Sequence, residues 1–216
     1  MRDYKRLPRF ARNDLLKKNT NGSPKKHTAV FLDRDGTINE EVGYLDNLDK
    51  LRILPKAFEA VRLVNQSGMK TVVVTNQSGI GRGFFDEDFV GRVHEEMRSL
   101  FLKKGAVIDS FYYCPHHPTE GMGQYRQACS CRKPEPGLLL KAAEDLDIDL
   151  GKSYMIGDMP KDVEVGQRAG AKGILVRTGY GKVADMGSTH PDYIAQDILD
   201  AVKWLMQDRK KKKREI

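Results

Sequence analysis

Phe31-Leu32-Asp33-Arg34-Asp35-Gly36-Thr37 is the stretch from which the fold can be read. It completes an apolar run, Ala29-Val30-Phe31-Leu32, of the length expected for a buried strand. Asp33 and Asp35 stand two residues apart at the end of that run. On extended backbone, residues i and i+2 point to the same side, so both carboxylates can face one crevice. Gly36 lets the chain turn directly after them. In open α/β sheets, ligands bind outside the carboxyl ends of the strands. Three uses of the pair are open at this point: an Asp-rich turn without chemistry, a divalent-metal site, and a nucleophilic carboxylate with an acid/base partner.

Outward from this stretch, apolar runs alternate with helical spacing. Thr71-Val72-Val73-Val74 reads as a second strand, running into a loop, Thr75-Asn76-Gln77-Ser78-Gly79, that suits backbone N–H contacts to an anion. Phe111-Tyr112-Tyr113, Tyr154-Met155-Ile156 and Gly173-Ile174-Leu175-Val176 read as three more, the fourth strand ending in Gly157-Asp158. Between them, Pro55 opens a helix carrying Ala57, Val61 and Val64 and ended by Gly68. Asp86 caps another, with Phe89, Val93, Met97, Leu100 and Phe101 on one side and His94 on the solvent side, not a ligand. A helix from about Pro136 to Leu146, a short one reaching Ala169, and an amphipathic one marked by Ile198, Val202 and Leu205 complete the pattern. Strands alternating with helices imply an α/β fold with a doubly wound, mainly parallel, Rossmann-like sheet. No interval is long enough for a large cap domain.

A length of 216 residues suits one such domain with a sizeable core. The net charge of +7 belongs to the ends. Residues 1–27, ending near Asn21-Gly22-Ser23-Pro24, hold nine Lys/Arg against two Asp, and residues 208–216 hold six against two acids. The body, 28–207, keeps 22 bases and 26 acids and is mildly acidic. The expected organisation is therefore a basic N-terminal extension, a central domain and a basic, solvated C-terminal tail. No apolar run approaches the roughly 18 residues of a membrane span, and no apolar leader opens the chain. These features place the protein in the cytoplasm, away from membranes, and a monomer is expected.

The three cysteines, Cys114, Cys129 and Cys131, fall in one window. An odd number so placed is not a disulfide framework and suits a reducing compartment. Cys114-Pro115-His116 is followed, twelve residues later, by Cys129-Ser130-Cys131. Each arm can aim two ligands the same way, and four N/S ligands closing a loop match a tetrahedral structural Zn²⁺ site. Adjacent His117 fits the spacing less well. Arg132 and Lys133 follow directly, so the zinc loop of residues 114–131 would hold two cations in place.

Asp33 with Asp35, then Thr75, then Lys133, then Asp158 with Asp162 occur in the order of the haloacid dehalogenase superfamily of phosphotransferases, which the chain resembles. The resemblance sharpens over Asp33-Arg34-Asp35-Gly36-Thr37-Ile38-Asn39, Gly43-Tyr44, Thr75-Asn76-Gln77-Ser78-Gly79-Ile80-Gly81-Arg82-Gly83, Cys114-Pro115-His116-His117-Pro118 and Cys129-Ser130-Cys131-Arg132-Lys133-Pro134. These segments, spread from about Ala29 to Thr178, are similar to the D-glycero-D-manno-heptose-1,7-bisphosphate 7-phosphatase family. The resemblance implies an aspartyl-phosphate formed on Asp33 and acid/base work by Asp35. It implies Mg²⁺ held by Asp33, the Asp35 carbonyl and Asp158, charge stabilisation by Thr75, Lys133 and loop N–H groups, and Arg132 on the second, non-reacting phosphate, whose oxygens its fork matches. Substrate contacts would come from Glu41, Val42, Gly43, Tyr44, Thr75, Asn76, Gln77, Ser78, Arg132 and Lys133, and Asp162 would orient Lys133 or a metal-bound water. The substrate would be a sugar bisphosphate, and the product would feed nucleotide-activated heptose and lipopolysaccharide synthesis. Met159 stands where some relatives carry lysine.

Two alternatives stay beside this reading. The histidinol-phosphate phosphatases share the zinc motif but close it with a much shorter loop. A zinc-containing nucleic-acid-binding protein would use the basic ends, but a crevice gathering Asp33, Asp35, Asp158 and Asp162 would repel phosphate backbones unless a metal intervened. No nucleic-acid partner is therefore expected.

Overall fold

The structure is a computed structural model that describes residues 26–212, so the expected extension up to residue 25 and the residues after 212 lie outside it. Six strands form one parallel sheet in the order β3-β2-β1-β4-β5-β6. They are β1 (Ala29–Leu32), β2 (Lys70–Asn76), β3 (Ser110–Cys114), β4 (Tyr154–Gly157), β5 (Lys172–Val176) and β6 (Tyr193–Ala195). The last of these, three residues long, is too short to stand out in the sequence; it pairs with β5 from Ile174 to Val176. The helices are α1 (Ala57–Gln66), α2 (Ser78–Gly81), α3 (Glu87–Lys103), α4 (Gly137–Asp145), α5 (Pro160–Arg168) and α6 (Ile198–Lys212).

β1 sits between β2 and β4 and is buried along its whole length. That explains its uninterrupted apolar sequence, since helices cover both faces of a parallel sheet. Alternation sorts its side chains. Val30 and Leu32 join Val73, Ile156 and Val176 under α1, α3 and α6, in a core with Val61, Val64, Met97, Phe101, Val202 and Leu205. Ala29 and Phe31 join Val72, Val74 and Met155 on the other face, against Leu138, Leu139 and Ala142 of α4 and Val165 of α5.

The chain winds from β1 out to β3, then returns to β4 on the far side of β1. The C-terminal ends of β1 and β4 therefore flank the point where the winding reverses, the usual site of a ligand crevice in such sheets.

Three expectations are corrected. The segment after Val74 is not all loop: β2 runs on to Asn76 and α2 follows. His94 does not face solvent. Spaced four residues from Val90 and three from Met97, it falls on the buried face of α3 and stacks on Phe111 at 4.5 Å between ring centroids. Burial, then the charge of Arg34, hold its imidazole neutral, pulled down to about 3. Residues 208–212 are not a free tail, because α6 continues to Lys212. Asp208 accepts hydrogen bonds from Tyr154 (2.8 Å) and Lys172 (2.6 Å), which fastens this turn to the sheet.

Candidate active site

Asp33 lies just beyond β1, with its N–H bonded to the carbonyl of Ile156 at 2.9 Å. Asp158 follows β4, and Asp162 lies in the first turn of α5. One carboxylate oxygen from each of the three falls within 4.8 Å of the others, and all three residues are buried. Two glycines make the approach possible. A Cβ on Gly36, which also has a φ of +79°, would collide with the Asp158 carboxylate. A Cβ on Gly157 would collide with the Asp162 side chain.

Lys133, fully buried, reaches this cluster from the segment before α4. Its ammonium lies 2.7 Å from Asp33, 2.7 Å from Asp162 and 3.0 Å from the Val74 carbonyl. Burial opposes its charge, but Asp162 and Asp33 outweigh burial and raise its pKa above the ordinary lysine range. The residue is held at its backbone by Asn76, whose side chain accepts from the Lys133 N–H (3.0 Å) and donates to its carbonyl (3.1 Å). Three carboxylates facing one ammonium leave an excess of negative charge. Burial and Asp162 raise Asp33 to about 6, and burial, Asp33 and Asp162 raise Asp158 to about 8. A divalent cation between Asp33 and Asp158 would relieve that excess, and oxygen donors of this kind suit Mg²⁺.

Asp35 has the opposite environment. Burial works to raise it, but the Arg34 guanidinium, forked on both its oxygens (3.1 and 2.8 Å), prevails. Asn39 (2.9 Å) and Gln77 (3.0 Å) donate as well, and the carboxyl is held below its ordinary range. Gln77 also donates to the Thr75 hydroxyl at 2.9 Å and accepts from Arg34 at 3.0 Å. A cleft of about 160 Å³ opens over these groups. Its wall adds Glu41, Gly43, Tyr44, Asn76, Ser78, Phe85, Met159, Lys161 and Tyr180.

Beside the cleft, Cys114, His116, Cys129 and Cys131 bring their donor atoms within 4.8 Å of one another. Cys131 Sγ lies 3.0 Å from Cys114 Sγ, 3.2 Å from Cys129 Sγ and 3.2 Å from His116 Nδ1. The contact with Cys114, more than any other, lowers the Cys131 pKa, to about 5. His117 is turned elsewhere: its ring nitrogens meet Arg82 (3.1 Å) and the Glu120 N–H (3.0 Å). Glu87 anchors the loop by accepting from both Tyr113 (2.6 Å) and Tyr125 (2.7 Å).

A family model described as HAD-hydrolase-like matches residues 130–201. Over 176 residues the chain is 42% identical to D-glycero-beta-D-manno-heptose-1,7-bisphosphate 7-phosphatase of Pasteurella multocida, covering 81% of this chain and 95% of that protein. The chain belongs to the heptose-bisphosphate phosphatase family. A second relative, D-glycero-D-manno-heptose-1,7-bisphosphate 7-phosphatase of Thermosynechococcus vestitus, is 41% identical over 82% of this chain and 94% of its own length. Among solved structures, a D,D-heptose 1,7-bisphosphate phosphatase from B. bronchiseptica, complexed with magnesium and phosphate, superposes with a TM-score of 0.75 at 30% identity, covering 84% of this chain and 99% of that one. The heptose-bisphosphate phosphatase family consists of α/β hydrolases of the haloacid dehalogenase type, and the parallel sheet and the cleft at its reversal point are this chain's version of that fold.

The cleft of this heptose-bisphosphate phosphatase family member is lined by the catalytic and substrate-contact residues expected from the sequence, with two exceptions. Val42 is 40% exposed and does not line it. Arg132, expected on the second phosphate, does not line the cleft; it donates to the His116 carbonyl at 3.1 Å and clasps the loop that carries the Cys/His cluster. The reason is local: its neighbour Lys133 is drawn into the buried carboxylates, which leaves Arg132 on the loop side. Asn76 bonds the Lys133 backbone through its side chain, a positioning arrangement. Arg34, Tyr180 and Lys161 were not foreseen. Parity along a strand puts Arg34 opposite the two aspartates, and its ion pair with Asp35 and its bond to Gln77 fold it inward. Tyr180 could have been suspected from its place after β5, and its N–H donates to Asp158 at 2.7 Å. Met159 and Lys161 both line the cleft, so a lysine two residues on accompanies the position where some relatives carry one.

Proposed function

We propose that the protein removes the C7 phosphate of D-glycero-D-manno-heptose 1,7-bisphosphate, leaving heptose 1-phosphate for nucleotide activation. The observation that carries this reading is the division between Asp33 and Asp35, one beside Lys133 and the carboxylate cluster, the other held by Arg34. The names and lengths of the relatives support the substrate.

A carboxylate oxygen of Asp33 attacks phosphorus while the bond from phosphorus to the C7 oxygen breaks. The departing sugar oxygen takes a proton from Asp35. Asp35 is ionised in the free protein, and the negative charge of an arriving phosphate raises its affinity for that proton. Asp35 then takes a proton from water, the water oxygen attacks phosphorus, and the bond to Asp33 breaks to release inorganic phosphate and restore the carboxylate. Lys133 and Thr75, with the N–H groups at the start of α2, offset the charge on the phosphoryl oxygens. Mg²⁺, held by Asp33, Asp158 and the Asp35 carbonyl, supplies the charge that offsets repulsion between nucleophile and phosphate. Asp162 holds Lys133 in place.

Zn²⁺ fits the sulfur-rich cluster, whose three cysteines and one imidazole bring their donor atoms within 4.8 Å of one another; they would hold the ion and so stiffen the loop before Lys133. Thiols kept as ligands suit the cytoplasm. The test is kcat/KM, with saturating Mg²⁺, for the bisphosphate, heptose 7-phosphate and histidinol phosphate. The bisphosphate should exceed histidinol phosphate by about 10²-fold or more, roughly 2.7 kcal/mol of transition-state stabilisation. Equal values, or the reverse order, would replace this substrate assignment.

A further inference from the structure

Three cations line the cleft, and two are already committed. Arg34, 1% exposed, is forked on Asp35 and also bonded to Gln77. Lys133 directs its ammonium at Asp33, Asp162 and the Val74 carbonyl. Lys161 differs from both. It is half-buried in the wall of the cleft and makes no hydrogen bond or ion pair with another described residue. It also occupies the first turn of α5, where the helix dipole disfavours a cation. A lysine so placed, without a partner, contributes nothing evident to the fold.

The cleft is too acidic to bind a second phosphate without an unpaired positive charge. Asp33, Asp35, Glu41 and Asp158 all line it. A phosphoryl group at Asp33 fills the buried floor of the cleft, so the remainder of a bisphosphate must lie toward its rim, where Gly43 and Tyr180 are exposed and where half-buried Lys161 is the one cation of the lining left without an ion pair among the described residues. Arg132, the other cation near the site, is turned to the His116 carbonyl. Resting on the substrate class proposed above, we infer that Lys161 is the specificity-determining residue that binds the non-reacting phosphate. Burial raises both Asp33 and Glu41, and the charge of Lys161 is among those that draw each back, so its ammonium is in electrostatic reach of both carboxylates.

The test compares the Mg²⁺-loaded parent with Lys161→Gln, Lys161→Arg and Arg132→Gln. For each, kcat and KM are measured on heptose 1,7-bisphosphate and heptose 7-phosphate, and on the corresponding hexose pair. Lys161→Gln should lower the bisphosphate-to-monophosphate ratio of kcat/KM by roughly tenfold or more, chiefly through KM, the scale of one charge-assisted hydrogen bond. Lys161→Arg should keep the ratio within about threefold, since it keeps the charge. Arg132→Gln should change the ratio less than Lys161→Gln does. A ratio unmoved by Lys161→Gln, a parent ratio near one, or a collapse in Arg132→Gln alone would overturn the role of Lys161. A parent that favours the hexose bisphosphate would instead overturn heptose as the substrate, and the Lys161 ratio would then be read on the hexose pair.

Discussion

Mg²⁺ should bind the carboxylate cluster far more tightly at pH 8 than at pH 6, and the structure sets the size of the change. Asp158 is raised to about 8 and Asp33 to about 6 from an ordinary 3.8. Because the folded values lie above the unfolded ones, the metal-free native state holds extra protons from about pH 4 upward, and this stabilisation is lost as pH climbs through about 6 and then about 8. A cation must displace those protons, so its affinity rises as they leave. One displaced proton is worth about tenfold per pH unit. Asp158 supplies nearly all of that between pH 6 and pH 7 and a declining share up to pH 8, with a smaller addition from Asp33, for a total of roughly tenfold to a hundredfold. Stability alone would blur the effect. His94, low at about 3 in the fold, contributes in the opposite direction, gaining stability as pH rises through the unfolded histidine value near 6.5. Mg²⁺ affinity avoids this, because His94 is not in the cluster. The assay is titration calorimetry at pH 6, 7 and 8 on protein dialysed free of Mg²⁺ without chelator, so that the sulfur site is left intact. Asp158→Asn should remove most of the slope. An affinity flat across this range in the parent would refute the reasoning.

Asp33→Asn should abolish turnover with an unchanged circular dichroism spectrum; activity within about tenfold of the parent would remove Asp33 as nucleophile. Asp35→Asn should slow hydrolysis of a sugar phosphate by at least roughly 10²-fold, and less for an aryl phosphate, whose leaving group needs no proton; equal losses on both would contradict an acid role. Metal analysis should find about one zinc per chain, and Cys129→Ser should lower both zinc content and Tm; full zinc occupancy in that variant would exclude Cys129 as a ligand.

Five of the six strands were legible because a parallel sheet buried on both faces writes itself as apolar runs, and Asp33, Thr75 and Asp158 each follow one. The sulfur cluster was legible for a different reason: four soft ligands in one short window have few other uses. What escaped depends on tertiary contact. Tyr193–Ala195 becomes a strand only by pairing with β5. His94 reads as polar, yet its helical position puts it under Phe111. Asp208 reads as the start of a charged tail, yet Tyr154 and Lys172 tie it to the sheet. Arg132 and Lys133 are adjacent in sequence and part company in space, because the buried carboxylates take one and the His116 carbonyl takes the other.

Arg34 shows why two chemically identical side chains two residues apart can carry different tasks. Asp33 and Asp35 share a strand end and a cleft, and burial penalises the charge of both. Asp33 is further raised by Asp162, with Lys133 divided between those two acids; Asp35 has a guanidinium to itself on both oxygens, with Asn39 and Gln77 adding donors. The residue between them in sequence thus sets their difference, drawing Asp35 toward Gln77 while Asp33 faces Lys133 and Asp158. Separated pKa values at one site are how a single fold assigns an acid/base group and a nucleophile. The same fork restrains the Asp35 carboxyl, which in the proposed reaction would give and regain a proton beside the phosphate. Lysine at position 34 could supply the charge but not two parallel N–H groups, so it would keep Asp35 ionised while loosening its aim.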